Sequence, residues 1–295
     1  MLVDFHVHST ASDGSKPPAA LARKTRLFAA AALTDHDNCD GLAEFFAEPA
    51  GDDGACLRVT GVELSVDPGE GFDMFHMLAL GFDPEDEGLK ALLRRIREGR
   101  DARNERIVAN FLRIGIDLGG EVRSYARGDI LARPHFAKWL VAHKYACSVR
   151  EAFAKYLLPD SPAETRCYEP RWRPPQEETF RVVHGAGGLC VMAHPKFWRQ
   201  SWRTTGCEFA AAERELAAVR ERGLDGLEAV YQANSPGEDA VFTQIADRLG
   251  LVKTAGSDYH GSNKPDVSLG MDVPEAFIRP ILDRLRSHRA ASDLV

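Results

Sequence analysis

The sequence predicts an α/β fold: a parallel, barrel-like sheet of seven strands, interrupted by an all-helical insertion. Three observations carry this. Short apolar runs alternate with helix-forming stretches over residues 1–86 and again over 174–295, the spacing of strand-helix-strand units. Residues 87–173 break that alternation and contain no convincing strand. Histidines and carboxylates recur just past the apolar runs, where the strand ends of a parallel barrel open on one face.

The first strand is expected over residues 2–7. His6 and His8 stand two apart at its end, so a period of two puts both imidazoles on one side. Pro17-Pro18 opens a helix over 19–30, with proline in its first turn. Residues 31–34 read as a second buried strand. A short helix over 41–47 and a Gly51-Asp52-Asp53-Gly54 turn lead to a third strand over 57–65. A turn at 68–71 precedes a fourth over 74–82, with His76 inside it.

From about residue 85 the chain reads as helices over 88–114, 127–143 and 148–158, closing in the proline-bearing stretch 159–175. Six arginines, Arg94, Arg95, Arg97, Arg100, Arg103 and Arg106, crowd the first of these. A solvated face relieved by Glu98, Asp101 and Glu105 is favoured over a nucleic-acid patch. Alternation then resumes: a helix to 185, a strand over 189–193 ending at His194-Pro195, a helix over 208–222, a strand over 226–231, a helix over 237–249, a strand over 251–255 and a last helix over 274–288. The expected organisation is a first barrel part (1–86), a helical cap (87–173) and a second barrel part (174–295).

Composition narrows the class. A length of 295 residues, 44% hydrophobic and 27% charged, suits an ordinary globular chain, and a net charge of −7 argues against a broad grip on duplex nucleic acid. No stretch has the length and apolarity of a membrane span, so a cytoplasmic protein is expected. Cys39, Cys56, Cys147, Cys167, Cys190 and Cys207 are scattered without a C-x-x-C pair, which points to free thiols. No feature marks a protein partner.

His6, His8, Asp13, His36, Glu63, His194, Asp258 and His260 all fall at or just after expected strand ends, and His76 is the exception, inside a strand. His143, His184 and His288 lie on expected helices and are read as surface or packing residues. Imidazole plus carboxylate without sulfur suits an open catalytic site for zinc, manganese or iron. So many ligands exceed the needs of one ion, and two or three divalent ions are inferred. Such a cluster favours hydrolysis, with a metal-bound hydroxide as nucleophile.

The motifs Asp4-Phe5-His6-Val7-His8-Ser9 with Ser12-Asp13-Gly14, Thr34-Asp35-His36-Asp37, Gly61-Val62-Glu63, Ala193-His194-Pro195 and Gly256-Ser257-Asp258-Tyr259-His260-Gly261 resemble those of the PHP (polymerase and histidinol phosphatase) family. The resemblance covers nearly the whole chain. It implies a distorted seven-stranded barrel and a trinuclear centre: His6, His8, Glu63 and Asp258 on one metal, Asp13, His36 and His260 on a second, His76 and His194 on a third, with Glu63 bridging. Within the family the chain is most similar to the bacterial nucleotide-phosphatase branch. That similarity implies a phosphatase acting on a nucleotide phosphomonoester, with a 3′,5′-nucleoside bisphosphate as the expected substrate.

Ala132-Arg133-Pro134-His135-Phe136-Ala137 resembles that branch's phosphate-binding segment, so Arg133 and His135 are expected at phosphate oxygens. Arg166 is expected to replace a lysine of the relatives as a second anchor. In the loop after His194, Trp198 or Trp202 offers a surface for a base, and Arg199 or Arg203 a contact to phosphate. His194 and Asp258 are the candidates for protonating the leaving oxygen. The alternatives are a phosphatase for histidinol phosphate or another small ester, a 5′-to-3′ exonuclease on short RNA, and a metal-binding module without turnover.

Overall fold

The computed structural model describes residues 1–49, 56–69, 74–126, 131–199 and 209–292. The expected turn at 51–54 and the loop residues Trp202 and Arg203 lie outside them. Eight strands form one sheet: β1 (Leu2–Val7), β2 (Ala30–Leu33), β3 (Leu57–Val66), β4 (Phe75–Leu80), β5 (Leu189–Met192), β6 (Gly226–Tyr231), β7 (Val252–Gly256) and β8 (Met271–Asp272). Their order is β7-β6-β5-β4-β3-β2-β1-β8. The sheet nearly closes on itself, because the chain just past β7 meets the end of β1: His8 N donates to Tyr259 O at 2.9 Å and Tyr259 N to His6 O at 3.3 Å.

Two features correct the sequence expectation. The count is eight and not seven, since β8 is a two-residue strand antiparallel to β1 and too short to leave an alternating pattern. The sheet is also not wholly parallel. β4 runs antiparallel to both β3 and β5, because the connection from β3 is too short for the crossover a parallel pair needs. This reversal explains His76. As the second residue of β4, it starts a strand whose beginning lies at the rim where the parallel strands end.

Alternate residues of each strand serve two apolar layers. Val3 and Phe5 of β1, Ala30 and Ala32 of β2, Leu78 and Leu80 of β4, and Leu189 and Val191 of β5 fill one. Ala31, Leu33, Met77, Ala79, Cys190 and Met192, from the opposite faces, fill the other. The second layer is covered by α1 (Pro18–Lys24), α2 (Leu42–Ala47) and, from the later part of the chain, α6 (Gln176–Gly185), α7 (Phe209–Glu221) and α8 (Pro236–Leu249).

Between β4 and α6 lie α3 (Glu87–Arg113), α4 (Arg133–Ala142), the short α5 (Val149–Ala152) and single turns of other helix types. Asp86 caps α3, its carboxylate accepting from Leu89 N at 2.8 Å. The first half of α3 packs Leu89, Leu92 and Ile96 on the barrel's outer layer. Its second half turns Ile107 and Phe111 into a separate core with Phe136, Leu140 and Tyr156. One helix therefore joins the two bodies of apolar contacts.

The last helix, α9 (Glu275–Ser292), seals the first layer with Ile278, Ile281, Leu282 and Leu285. Gly81, just past β4 at φ +73°, leaves room for Leu285, which a Cβ there would approach to 2.5 Å. Because β4 is reversed, this contact puts α9 at the end of the barrel opposite the histidines. The other rim stays open for chemistry.

Candidate metal centre

Every segment singled out by its histidines arrives at that rim. His6 and His8 come from the end of β1, His36 from the turn after β2, Glu63 from β3, His76 from β4, His194 from the turn after β5, and Asp258 and His260 from the turn after β7. Glu63 stands at the centre. Its Oε1 lies 2.8 Å from His76 Nδ1, 3.2 Å from His194 Nε2 and 3.4 Å from His6 Nε2. Its Oε2 lies 2.8 Å from His36 Nδ1 and 3.2 Å from His8 Nε2. Asp258 Oδ1 sits 3.4 Å from His8 Nε2 and 3.3 Å from His260 Nδ1. On the far side Asp13 reaches His260 Nε2 at 3.1 Å and His36 Nε2 at 3.8 Å.

Two overlapping sets of ligand atoms lie within 4.8 Å of one another: His8, Asp13, His36 and His260, and His6, His8 and Glu63; a third, His36, Glu63 and His76, adjoins them. His6 Nε2, both nitrogens of His8, Asp13 Oδ1 and Glu63 Oε2 are buried without a hydrogen-bond partner. Orphaned polar atoms are costly, and here they converge. This donor set fits divalent metal ions.

The electrostatics match. Burial alone would raise the carboxyls of Glu63, Asp13 and Asp258, but the surrounding imidazoles outweigh it and hold all three well below the usual carboxylate range. Burial opposes the charged forms of His6, His8 and His36, yet the carboxylates raise them. At His76 burial prevails and the imidazole is pushed down.

Around this group stands a shell of supports that the sequence reading did not identify. Glu228 of β6, fully buried, accepts from His194 N at 2.6 Å and lies 2.9 Å from His6 Nδ1, which leaves the other nitrogen of His6 facing the centre. The available signal was a carboxylate in the middle of an otherwise apolar strand. Asp35 holds the loop carrying Asp13, accepting from Ser9 N at 2.7 Å, Ser9 Oγ at 2.6 Å and Ser12 Oγ at 2.5 Å. Asp4 pins the end of β7 through Ser257 N and Oγ at 3.0 and 2.6 Å. Burial pushes its carboxyl up to about 6 against those hydrogen bonds. Gly256 is required here, since a Cβ would meet Glu228 Oε1 at 2.1 Å and His6 Cβ at 2.5 Å.

Strain collects at the same rim. His194, Asp258 and Asp37 adopt positive φ of 30°, 58° and 56°, conformations that surrounding contacts must enforce. Asp37 is held by guanidinia from two segments: Arg100 Nε at 2.8 Å and Arg171 Nη1 at 2.8 Å. Burial works against the charge on Asp37, but Arg100 and Arg171 hold its carboxyl well below the usual range. Asp37→Asn is expected to cost about 3–5 kcal/mol, the cost of stripping one partner from a buried ion pair. In the parent chain this stabilisation is fully present above the unfolded carboxyl pKa of about 4 and is lost as pH falls toward the depressed folded value. Urea melts of both proteins at pH 7 and at about pH 3, below the unfolded carboxyl pKa, check it: the difference between them should shrink in acid.

The residues expected at phosphate fall into two groups. His135, 3% exposed, accepts Ala132 N–H on Nδ1 at 3.0 Å, which leaves Nε2 to carry the proton, and burial pushes it down to about 4, so it is a neutral donor. With Asp13, Tyr125 and Lys138 it lines a polar recess of about 80 Å³ beside the histidines. Arg133 lies over the Tyr168 ring at 5.5 Å and donates to Leu157 O. Arg166, by contrast, is exposed and donates to Pro159 O at 3.0 Å. Arg199 pairs with Glu215 at 2.8 Å, and Trp198 is buried against Phe75. The arginines of α3 are not relieved by acids of their own helix as expected: Arg95 pairs with Glu178, Arg97 with Asp40 and Arg106 with Glu169.

Comparison with known proteins gives a consistent answer. No family model matches the chain. It is 34% identical over 291 residues to a 3′,5′-nucleoside bisphosphate phosphatase of Chromobacterium violaceum, covering 97% of this chain and 96% of that one. It is 29% identical over 264 residues to a 5′-3′ exoribonuclease of Escherichia coli, covering 88% and 85%. Among solved structures it is similar to a C. violaceum amidohydrolase with bound sulfate and no metal (TM-score 0.79, 32% identity, 97% and 96% covered). A second is a protein of Bifidobacterium adolescentis described as a metal-dependent phosphoesterase (TM-score 0.77, 30% identity, 96% of each chain). Among the described residues no helix is long and apolar enough to cross a membrane.

Proposed function

This chain belongs to the PHP family of metal-dependent phosphoesterases, and from that premise we propose that it removes a phosphate from a nucleotide, with a 3′,5′-nucleoside bisphosphate as substrate. The observation that carries the reading is the convergence of orphaned, buried ligand atoms on Glu63. His6, His8, Glu63 and Asp258 would hold one ion, Asp13, His36 and His260 a second, and His76 and His194 a third, with Glu63 shared. The ions, as manganese, iron or zinc, would supply Lewis acidity to polarise the phosphoryl group and activate water.

The chain's own residues do the rest. Glu228 fixes the ring of His6 through Nδ1. His135 presents Nε2–H and Arg133 a guanidinium to the phosphoryl oxygens beside Asp13. The proton needed by the leaving oxygen would come from the groups beside Asp258, which is itself held as a carboxylate, rather than from His194. Asp258 Oδ2 lies 2.5 Å from Lys264 Nζ and 3.0 Å from Tyr231 Oη, two proton-bearing groups, whereas His194 Nε2 is turned onto Glu63 at 3.2 Å. Residues 87–173 would act as a cap over the rim. The exoribonuclease reading draws less support, since Arg95, Arg97 and Arg106 of α3, among those that would line an RNA groove, are paired with acids.

The test is phosphate release from 3′,5′-bisphosphates, mononucleotides, histidinol phosphate and a short 5′-phosphorylated RNA, with added manganese and with chelator. Turnover is expected on the bisphosphates and should vanish with chelator and in His194→Ala. Release from none of them by the manganese-loaded protein would overturn the reading.

A further inference from the structure

We propose that the cleft between α2 and α3, on the outside of the barrel, is a binding site separate from the metal centre, and that it takes a small molecule with an apolar body and one anionic group. The cleft follows from the reversal of β4. Parallel neighbours in such a sheet are joined by a crossover helix that covers their outer face. β3 and β4 are antiparallel, and the connection from Val66 to Phe75 is too short to hold one. No crossover helix is therefore available to fill the space between α2 and α3. A cavity of about 590 Å³ is left there, within the size range of small-molecule sites.

Much of its lining is apolar. Leu42 and Phe46 of α2 face it from one side and Leu93 of α3 from the other. Phe46 is 37% exposed, one of the large apolar side chains that the fold leaves open to water. The polar groups of the floor have little to offer a ligand. Thr60 of β3 already donates its hydroxyl to Phe82 O at 2.7 Å. Burial pushes the Cys39 thiol up to about 12, so it packs as a neutral group and is no nucleophile.

The charge comes from one face of α3, where Lys90, Arg94 and Arg97 stand four and three apart. The outer two are committed: Lys90 Nζ pairs with Glu85 at 2.7 Å and Arg97 Nη2 with Asp40 at 2.6 Å. Arg94, between them, is exposed and has no acid partner among the described residues. The cleft therefore offers apolar contact beside a single uncommitted guanidinium, with a closed ion pair on either side. A monoanion on an apolar body satisfies that pattern. A cation would be repelled by Arg94, and a nucleoside bisphosphate would bring more negative charge than one guanidinium can meet. Asp37, at one end, adds no free charge, because Arg100 and Arg171 hold its carboxylate. None of the candidate metal ligands lines the cleft.

The probe is anilinonaphthalene sulfonate, an aromatic body carrying one sulfonate, titrated by fluorescence into the full manganese-loaded chain. Saturable binding at a stoichiometry of about one is expected, undiminished by excess adenosine 3′,5′-bisphosphate. Arg94→Glu should weaken it about tenfold, and Ala43→Trp, which puts a ring into the cleft from α2, should abolish it. Decanoate should displace the probe, and decylamine, the same chain with the opposite charge, should not. Both substituted positions are exposed, so both variants should melt with wild type. Absence of saturable binding, or equal binding to wild type and both variants, would overturn the proposal. So would displacement by the bisphosphate, which would place the probe at the metal centre. Displacement by decylamine as readily as by decanoate would overturn the assignment of an anionic ligand.

Discussion

Glu63→Gln is expected to lower phosphate release by at least about a thousandfold, the largest loss from any single substitution at this centre. The carboxylate touches five imidazoles through two oxygens, so it is the group shared between the ligand sets proposed here. Glutamine keeps the volume and one oxygen but replaces the other with an N–H₂ that cannot coordinate a cation. It also removes the negative charge that His36, His76 and His6 face. Metal content measured on the purified variant should fall together with the rate. A variant that retained full metal and turned over within tenfold of wild type would show that Glu63 is not the bridge.

The second large effect is expected at Glu228, which touches no substrate. Glu228→Leu should weaken metal affinity by about 10- to 100-fold, as loss of a partner behind a histidine ligand does. The carboxylate is fully buried and binds two groups of the centre at once, His6 Nδ1 and the backbone N–H of the strained His194. Without it His6 is free to rotate or to change tautomer, and His194 loses a contact that holds its left-handed backbone. The effect should be recoverable: titrating manganese should restore most of the rate at high concentration, with a shifted midpoint. A loss of rate that no metal concentration repairs would assign Glu228 to catalysis itself.

Much of the centre was legible in the chain because its ligands cluster in short motifs. His6-Val7-His8 puts two imidazoles, and Asp35-His36-Asp37 and Asp258-Tyr259-His260 each put an imidazole beside a carboxylate, at the end of an apolar run, and the structure brings all of them together at one rim. Neighbours in sequence still divide their work. His36 enters the centre, while Asp35 ties down the Ser9–Ser12 turn and Asp37 ties the barrel to α3 and Arg171. Nothing in the spacing separates those three roles, because each depends on what lies opposite in space.

By itself the sequence determined the α/β class, the candidate ligands and the family, since periodicity, turn chemistry and local motifs are properties of a few consecutive residues. Only the tertiary structure decided the eighth strand, the reversed β4 that carries His76 to the rim, the support of His6 by Glu228 222 positions away, and the pairing of the α3 arginines with distant acids. Arg103 looks like its neighbours on α3 as a string of letters. Its lack of an ion-pair partner among the described residues is a fact about buried charge, which exists only once the chain has closed around it.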